Sequence, residues 1–165
     1  MNILFLCTAN VSRSYLAAAL LKNELQALNQ AGGFSIYSAG LHAFPGSPPD
    51  PIMAAFLSEK GIETKSGGAR QVREEDLKWS DLILVMEKGH VEFIRQKWPR
   101  EARKVNLLGA YIVGAIGDEE IADPYGRSSY HYRLAQARIA LAVKSLARSL
   151  ITSSQGPQQP STGAP

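Results

Sequence analysis

The sequence predicts a single doubly wound α/β domain, a four-stranded parallel sheet with helices on both faces. Apolar runs of strand length alternate with stretches of helical spacing along the chain. One run, Asp81 to Met86 (DLILVM), is apolar on both faces, as a central parallel strand requires. The composition, 45% hydrophobic and 20% charged over 165 residues, is that of an ordinary globular chain with core enough for one domain.

Asn2 to Leu6 is a continuous apolar run and reads as the first strand, stopping at Cys7. Ser14 to Leu28 follows as a helix, with Leu16, Leu20, Leu21, Leu25 and Leu28 at helical spacing, and Ala31-Gly32-Gly33 ends it. Phe34 to Ala39 is the second strand. Asp50-Pro51 then supplies an N-cap and a first helical position for a helix that closes at Gly61. After the third strand, Lys88 to Trp98 is helical up to Pro99, and Lys104 to Leu108 is the fourth strand. Ser128 to Leu150 closes the domain as a long helix with Ala135, Ile139, Val143, Leu146 and Leu150 on one stripe. Thr152 to Pro165 (TSSQGPQQPSTGAP) carries no charge and one hydrophobic residue, and reads as a disordered tail behind a domain of residues 1–151.

The charge balance, 18 Lys plus Arg against 15 Asp plus Glu, leaves +3. Bases and acids are interleaved without a basic cluster, so neither a nucleic-acid partner nor a membrane surface is expected. The single cysteine excludes an internal disulfide and any zinc site of several thiolates. His42, His90 and His131 are scattered, so no metal or other cofactor is expected. Ile3 to Cys7 is too short for a signal-peptide core and no run approaches a membrane span, which reads as a cytoplasmic protein.

In a doubly wound sheet, ligands sit outside the carboxyl ends of the strands, and Cys7 lies at such an end. The loop into the first helix reads Cys7-Thr8-Ala9-Asn10-Val11-Ser12-Arg13-Ser14. Such a loop can curl its N–H groups round a phosphate, and the helix N-terminus adds positive potential. Both effects, with the Arg13 guanidinium, favour a nucleophilic thiolate at Cys7. Arg13 has the planar fork that grips two phosphoryl oxygens, which lysine lacks. A cation in the first helical turn is disfavoured unless an anion is near, so a purely solvated Arg13 is a poor alternative. Cys7 taken alone also fits a buried structural cysteine, and Asn10 and Ser14 fit loop and cap residues. Asp123-Pro124-Tyr125-Gly126 lies in the long connection Gly109 to Arg127, where Asp123 can serve as general acid and then base, and Tyr125 can face a substrate ring. Alone, it fits a plain Asp-Pro turn equally.

Together these stretches resemble the low-molecular-weight protein tyrosine phosphatases, whose active-site loop C-x-G-N-x-C-R-S-P lies near the N-terminus after a first strand. Ser38-Ala39-Gly40-Leu41, Ala69-Arg70-Gln71, the segment from Asp81 to Glu87 and His90, and Asp123-Pro124-Tyr125 are similar to the family's bacterial branch in order and spacing. The resemblance covers roughly Asn2 to Leu150. It implies Cys7 as the nucleophile of a phosphocysteine intermediate, Arg13 as phosphate ligand and Asp123 as proton donor to the leaving phenolate. Thr8, Ala9, Asn10, Val11, Ser12 and Ser14 would form the oxyanion-binding loop, with the Ser14 hydroxyl assisting the thiolate. Phe44 and Tyr125 would flank a phosphotyrosine ring. The implied partners are tyrosine-phosphorylated proteins, a bacterial tyrosine kinase governing polysaccharide export among them.

Three positions depart from the family's pattern. Ala9 replaces a frequent glycine, and would carry strain if that position needs a positive φ. Tyr15 replaces a helix-opening proline. Ser12 replaces a frequent second cysteine, which leaves Cys7 without an internal resolving thiol. Three other readings are weighed. A thiol-dependent arsenate reductase needs further cysteines. Phosphoarginine phosphatases, similar in the loop, tend to place a threonine where this chain has Val11. A non-catalytic phosphoprotein-binding module would keep the cradle and lose turnover.

Overall fold

The computed structural model describes residues 1–64, 67–114, 116–117 and 119–154. Four strands, β1 (Asn2–Cys7), β2 (Ser35–Gly40), β3 (Leu82–Val85) and β4 (Val105–Leu107), form one sheet in the order β2-β1-β3-β4. All three pairings are parallel, with Cys7 opposite Gly40 and Leu6 opposite both Ala39 and Val85. The chain steps from β1 outward to β2, then returns across β1 to β3. The order therefore reverses at β1, and the crevice of a doubly wound sheet opens at the carboxyl end that carries Cys7.

Alternation along the strands divides the core in two. Ile3, Phe5 and Cys7 of β1 face one side, and Leu4 and Leu6 face the other. The first side is covered by α1 (Arg13–Ala27), α2 (Pro51–Glu59) and α5 (Ser129–Ser154), through Leu16, Leu21, Met53, Leu57, Ile139 and Leu146. The second is covered by α3 (Glu74–Trp79) and α4 (Lys88–Lys97), through Leu77 and Ile94. The predicted class, one sheet with helices on both faces, holds. Asp50 caps α2 as predicted, its carboxylate accepting from the Ile52 N–H at 2.9 Å with Pro51 in the first turn.

Several boundaries differ from the expectation. The first strand includes Cys7, because pairing with Gly40 extends it by one residue. The second runs from Ser35 to Gly40, one residue later at each end than predicted. The first helix begins at Arg13 and ends at Ala27, and Ala31–Gly33 forms a separate 3-10 turn. The third strand, the helix after it and the fourth strand are trimmed to Leu82–Val85, Lys88–Lys97 and Val105–Leu107. α3 has no counterpart in the sequence prediction, since six residues are too few to show periodicity. The last helix starts at Ser129 and runs to Ser154, into the segment read as tail. Ile151 packs against the core there, and the Thr152 and Ser153 hydroxyls donate to the carbonyls of Arg148 and Ser149 at 3.0 and 2.9 Å, so both stay within the helix. The remainder of the predicted tail, residues 155–165, lies outside the described residues. Among the described residues no helix is long and apolar enough to cross a membrane.

Gly40 brings β2 against the loop that follows β1. A Cβ there would lie 2.7 Å from the Thr8 carbonyl oxygen and 2.9 Å from the Ala9 carbonyl carbon, both backbone atoms with no freedom to yield. Gly40→Ala should therefore displace the loop as well as cost about 1 to 3 kcal/mol of stability. A urea titration and a turnover assay of the same variant check this, with a fall in both expected.

Candidate active site

The segment Cys7–Ser14 folds back on itself because Asn10 takes a left-handed conformation (φ 59°), which asparagine tolerates better than most residues. Ala9 has no positive φ, so the strain considered for an alanine at that place does not arise. Asn10 is buried and its amide is fully engaged. Its oxygen accepts from the Arg70 backbone N–H at 3.0 Å, and its nitrogen donates to the hydroxyls of Ser38 at 2.9 Å and Ser14 at 3.0 Å. That assignment orients Ser14. Its oxygen accepts from Asn10 and lies 3.0 Å from Cys7 Sγ and 3.4 Å from the Ala39 carbonyl, to either of which the hydroxyl can donate. Cys7 is 3% exposed at the carboxyl end of β1, an internal strand of the sheet.

Arg13 stands in the first turn of α1 and is 1% exposed. Its burial is compensated by anions, as its position required. Nη1 donates to Glu87 at 2.8 Å and to the Ile121 carbonyl at 2.9 Å, and Nη2 pairs with Asp123 at 3.0 Å. Nε is also buried, and has no hydrogen-bond partner among the described residues. A guanidinium pinned at two nitrogens with a third N–H unpaired is a prepared oxyanion ligand. Asp123 comes into range because Ile121 is tied by its N–H to the Met86 carbonyl at 2.8 Å, and the Tyr125 N–H donates to the Asp123 carboxylate at 3.3 Å.

The structure brings Cys7, Thr8, Ala9, Asn10, Ser12, Arg13, Ser14 and Asp123 into one cluster. Val11 belongs to the same loop, its carbonyl accepting from the Asp50 N–H at 2.8 Å. Ser12 is buried and its hydroxyl has no partner among the described residues. Phe44 and Tyr125 are 83% and 66% exposed, on segments anchored to the cluster through the His42 N–H on the Thr8 carbonyl (2.8 Å) and through Asp123. Tyr15 hydrogen-bonds the Thr64 hydroxyl at 2.6 Å and lies away from the thiol network. Sequence reasoning missed three participants. Glu87 and His90 were noted only as a supporting resemblance, and no local signal marks the Ile121 carbonyl.

His90 Nε2 lies 3.1 Å from the Thr8 hydroxyl and 3.4 Å from Glu87, whereas its buried Nδ1 has no partner among the described residues. A proton on Nε2 serves both contacts and leaves Nδ1 a bare lone pair, which is less costly than an orphaned N–H. Burial, and then the Arg13 charge, push the imidazole below its ordinary pKa of 6.5, with Glu87 opposing. The unfolded chain therefore takes up this proton at higher pH than the folded one. Stability present above about pH 6.5 is lost as pH falls through the lower native pKa. His90→Gln should lose less stability than the unmodified chain on acidification through that window, as read by urea midpoints. Parallel curves would show that His90 protonates freely in the fold.

The family profile described as low molecular weight phosphotyrosine protein phosphatase matches residues 2–155. A protein-arginine-phosphatase of Geobacillus stearothermophilus is 36% identical over 151 residues, which are 92% of this chain and 97% of the relative. A probable low molecular weight protein-tyrosine-phosphatase, AmsI of Erwinia amylovora, is 35% identical over 127 residues, 77% of this chain and 81% of its own. The tyrosine phosphatase Wzb of Escherichia coli K30, solved in complex with sulphate, superposes with a TM-score of 0.78 at 28% identity, covering 90% of this chain and 97% of that one. The chain belongs to the low molecular weight phosphotyrosine protein phosphatase family.

Proposed function

We propose that the chain hydrolyses phosphotyrosine in proteins by two in-line displacements through a phosphocysteine. The observation that carries the proposal is Arg13, a buried guanidinium whose Nε–H has no partner among the described residues, in the same loop segment as the Cys7 thiol that lies 3.0 Å from the Ser14 hydroxyl. In the first displacement the Cys7 thiolate attacks phosphorus, the bond to the aryl oxygen breaks, and Asp123 transfers its proton to that oxygen. In the second, water attacks phosphorus while Asp123 takes its proton, the S–P bond breaks, and Cys7 leaves as the thiolate that Ser14 stabilises. Arg13 and the loop N–H groups carry the charge of the equatorial oxygens in both steps. An incoming dianion competes with Asp123 for Nη2, and the displaced carboxylate takes up the proton that the Cys7 thiol releases on ionising and is then free to deliver it to the leaving oxygen. The exposed rings of Phe44 and Tyr125 supply apolar faces for an aryl group, and the partner class is a tyrosine-phosphorylated protein such as a bacterial tyrosine kinase.

A second reading, phosphoarginine hydrolysis, is favoured by the arginine phosphatase relative that spans nearly the whole chain. Against it stands Val11, whose side chain has no hydroxyl where that group tends to have threonine. Rates on a phosphotyrosine and a phosphoarginine peptide decide between the two. The phosphotyrosine peptide should be preferred, and Val11→Thr should move the ratio toward phosphoarginine. Preference for phosphoarginine in the unmodified chain would overturn the first reading.

Cys7→Ser should abolish turnover, by about a thousandfold or more, and Arg13→Lys should lose about a hundredfold or more, because an ammonium cannot reproduce the fork. Substantial activity in either variant rules out the mechanism. Asp123→Asn should depress kcat/KM by about 10² to 10⁴-fold for aryl phosphates with basic leaving groups and far less for activated ones. A uniform loss across the series would remove Asp123 from the acid role.

A further inference from the structure

His90 lies in the first turn of α4, is 7% exposed, and has no step of its own in the proposed chemistry. Glu87 stands at the N-cap of the same helix, and the His90 N–H donates to its carbonyl at 3.0 Å. A separation of three residues is close to one helical turn, so the two side chains lie on one face. The Glu87 Oε2 that accepts from Arg13 Nη1 at 2.8 Å is 3.4 Å from His90 Nε2, and Nε2 is in turn 3.1 Å from the Thr8 hydroxyl.

Thr8 follows the nucleophile in the loop, and its carbonyl accepts from the His42 N–H at 2.8 Å. Asn10 ties the loop to Ser38 and the Arg70 backbone on the β2 side. His90 reaches the loop from the β3 side, and meets the carboxylate that anchors Arg13 as well. Burial and the Arg13 charge hold the imidazole below its ordinary pKa, so the neutral ring has one N–H, which Nε2 shares between the two oxygens. Packing does not explain the residue. The ring keeps a buried Nδ1 with no partner among the described residues, a cost that an apolar side chain of the same size would not carry.

We propose that His90 is a positioning residue, whose Nε2 holds the Thr8 end of the oxyanion loop in register with the Glu87-anchored Arg13 guanidinium, so that both grip the same phosphoryl group. His90 touches no reacting atom, and it acts through Thr8 and Glu87. The inference rests on the proposed phosphoryl cradle, and adds the residue that joins its two sides.

The test is calorimetric titration with inorganic phosphate, together with kcat/KM across a series of aryl phosphates of increasing leaving-group basicity. The proteins are the unmodified chain, His90→Ala, His90→Gln, Thr8→Val, the His90→Ala/Thr8→Val double variant and Arg13→Lys. Glutamine can return an N–H near the place of Nε2. Thr8→Val removes the acceptor and leaves the ring in place, so the outcome does not hang on the folding of His90→Ala. The dissociation constant for phosphate should rise about tenfold in His90→Ala and about threefold or more in Thr8→Val, and stay within about twofold of unmodified in His90→Gln. Turnover should fall by the same factor at every leaving group, because Asp123 is untouched. The double variant should lose less than the product of the two single losses, since both remove one contact. Unchanged phosphate binding in Thr8→Val, a glutamine variant that binds no better than the alanine one, a multiplicative loss in the double variant, or a loss that grows with leaving-group basicity would each overturn the proposal. If the unmodified chain binds no phosphate, or Arg13→Lys binds it as well, the cradle itself falls and the positioning role with it. Weakening in Arg13→Lys without weakening in the His90 and Thr8 variants removes the positioning role alone.

Discussion

Burying Arg13 is the constraint on which the rest of the site depends. A charge at 1% exposure is tolerated only if anions and hydrogen-bond acceptors are placed around it, and the fold recruits them from two separate segments: Glu87 after β3, and the Ile121 carbonyl with Asp123 beyond β4. Each has to arrive at the same point. The Ile121 N–H on the Met86 carbonyl fixes the second segment to the end of β3, so the residues that hold the arginine are themselves held to the sheet. Hydrophobic packing alone would not have placed a guanidinium there. The site geometry follows from satisfying one buried cation.

Asn10 does for the thiol what the carboxylates do for the arginine. Its left-handed backbone turns the loop, and its side-chain amide spends its oxygen on Arg70 and its nitrogen on Ser38 and Ser14. This is a chain of directional bonds that runs from the β2 edge to the Ser14 hydroxyl 3.0 Å from the sulfur. Ser38 and Gly40 thereby belong to the site although neither need touch a substrate. The first holds Asn10 and the second lets the loop backbone approach β2 closely.

How much of this was legible in the sequence follows from what sequence patterns encode. Strand runs and long amphipathic helices repeat over many residues, and so the sheet, its two covered faces and the placement of Cys7 at a carboxyl end could be read directly. The motif Cys7 to Ser14 was legible because its residues are contiguous, and the need for an anion near Arg13 follows from the helix N-terminus alone. The identity of those anions was not. Glu87 and Asp123 lie 74 and 110 positions from Arg13 in the chain, and although the Asp-Pro-Tyr turn marks Asp123 as a candidate acid, neither neighbourhood shows that its carboxylate pairs with Arg13. α3 is too short to be periodic, and the end of α5 was hidden because Thr152 and Ser153 resemble tail residues until their hydroxyls are seen bonding back along the helix. The worry over Ala9 fails for a different reason. The residue that needs the unusual backbone is its neighbour Asn10, and only coordinates separate the two.

Every strand end contributes one component, and no component works alone. The end of β1 supplies the thiol and the arginine, β2 the close approach at Gly40 and the Ser38 anchor, and β3 Glu87 and His90. The segment beyond β4 supplies Asp123 and the Ile121 carbonyl. Most of the bonds that join these parts span long stretches of chain, so their closure entropy is met by the folding of the sheet as a whole rather than by local structure. The consequence is that the cradle cannot be half built. An arginine without Glu87 would be an under-compensated buried charge, a loop without Gly40 could not approach β2, and a thiol without Asn10 and Ser14 would be a structural cysteine. The same residues that give the site its chemistry therefore tie the first helix to the last loop, and the energetic case for the fold and the chemical case for the site converge on Arg13.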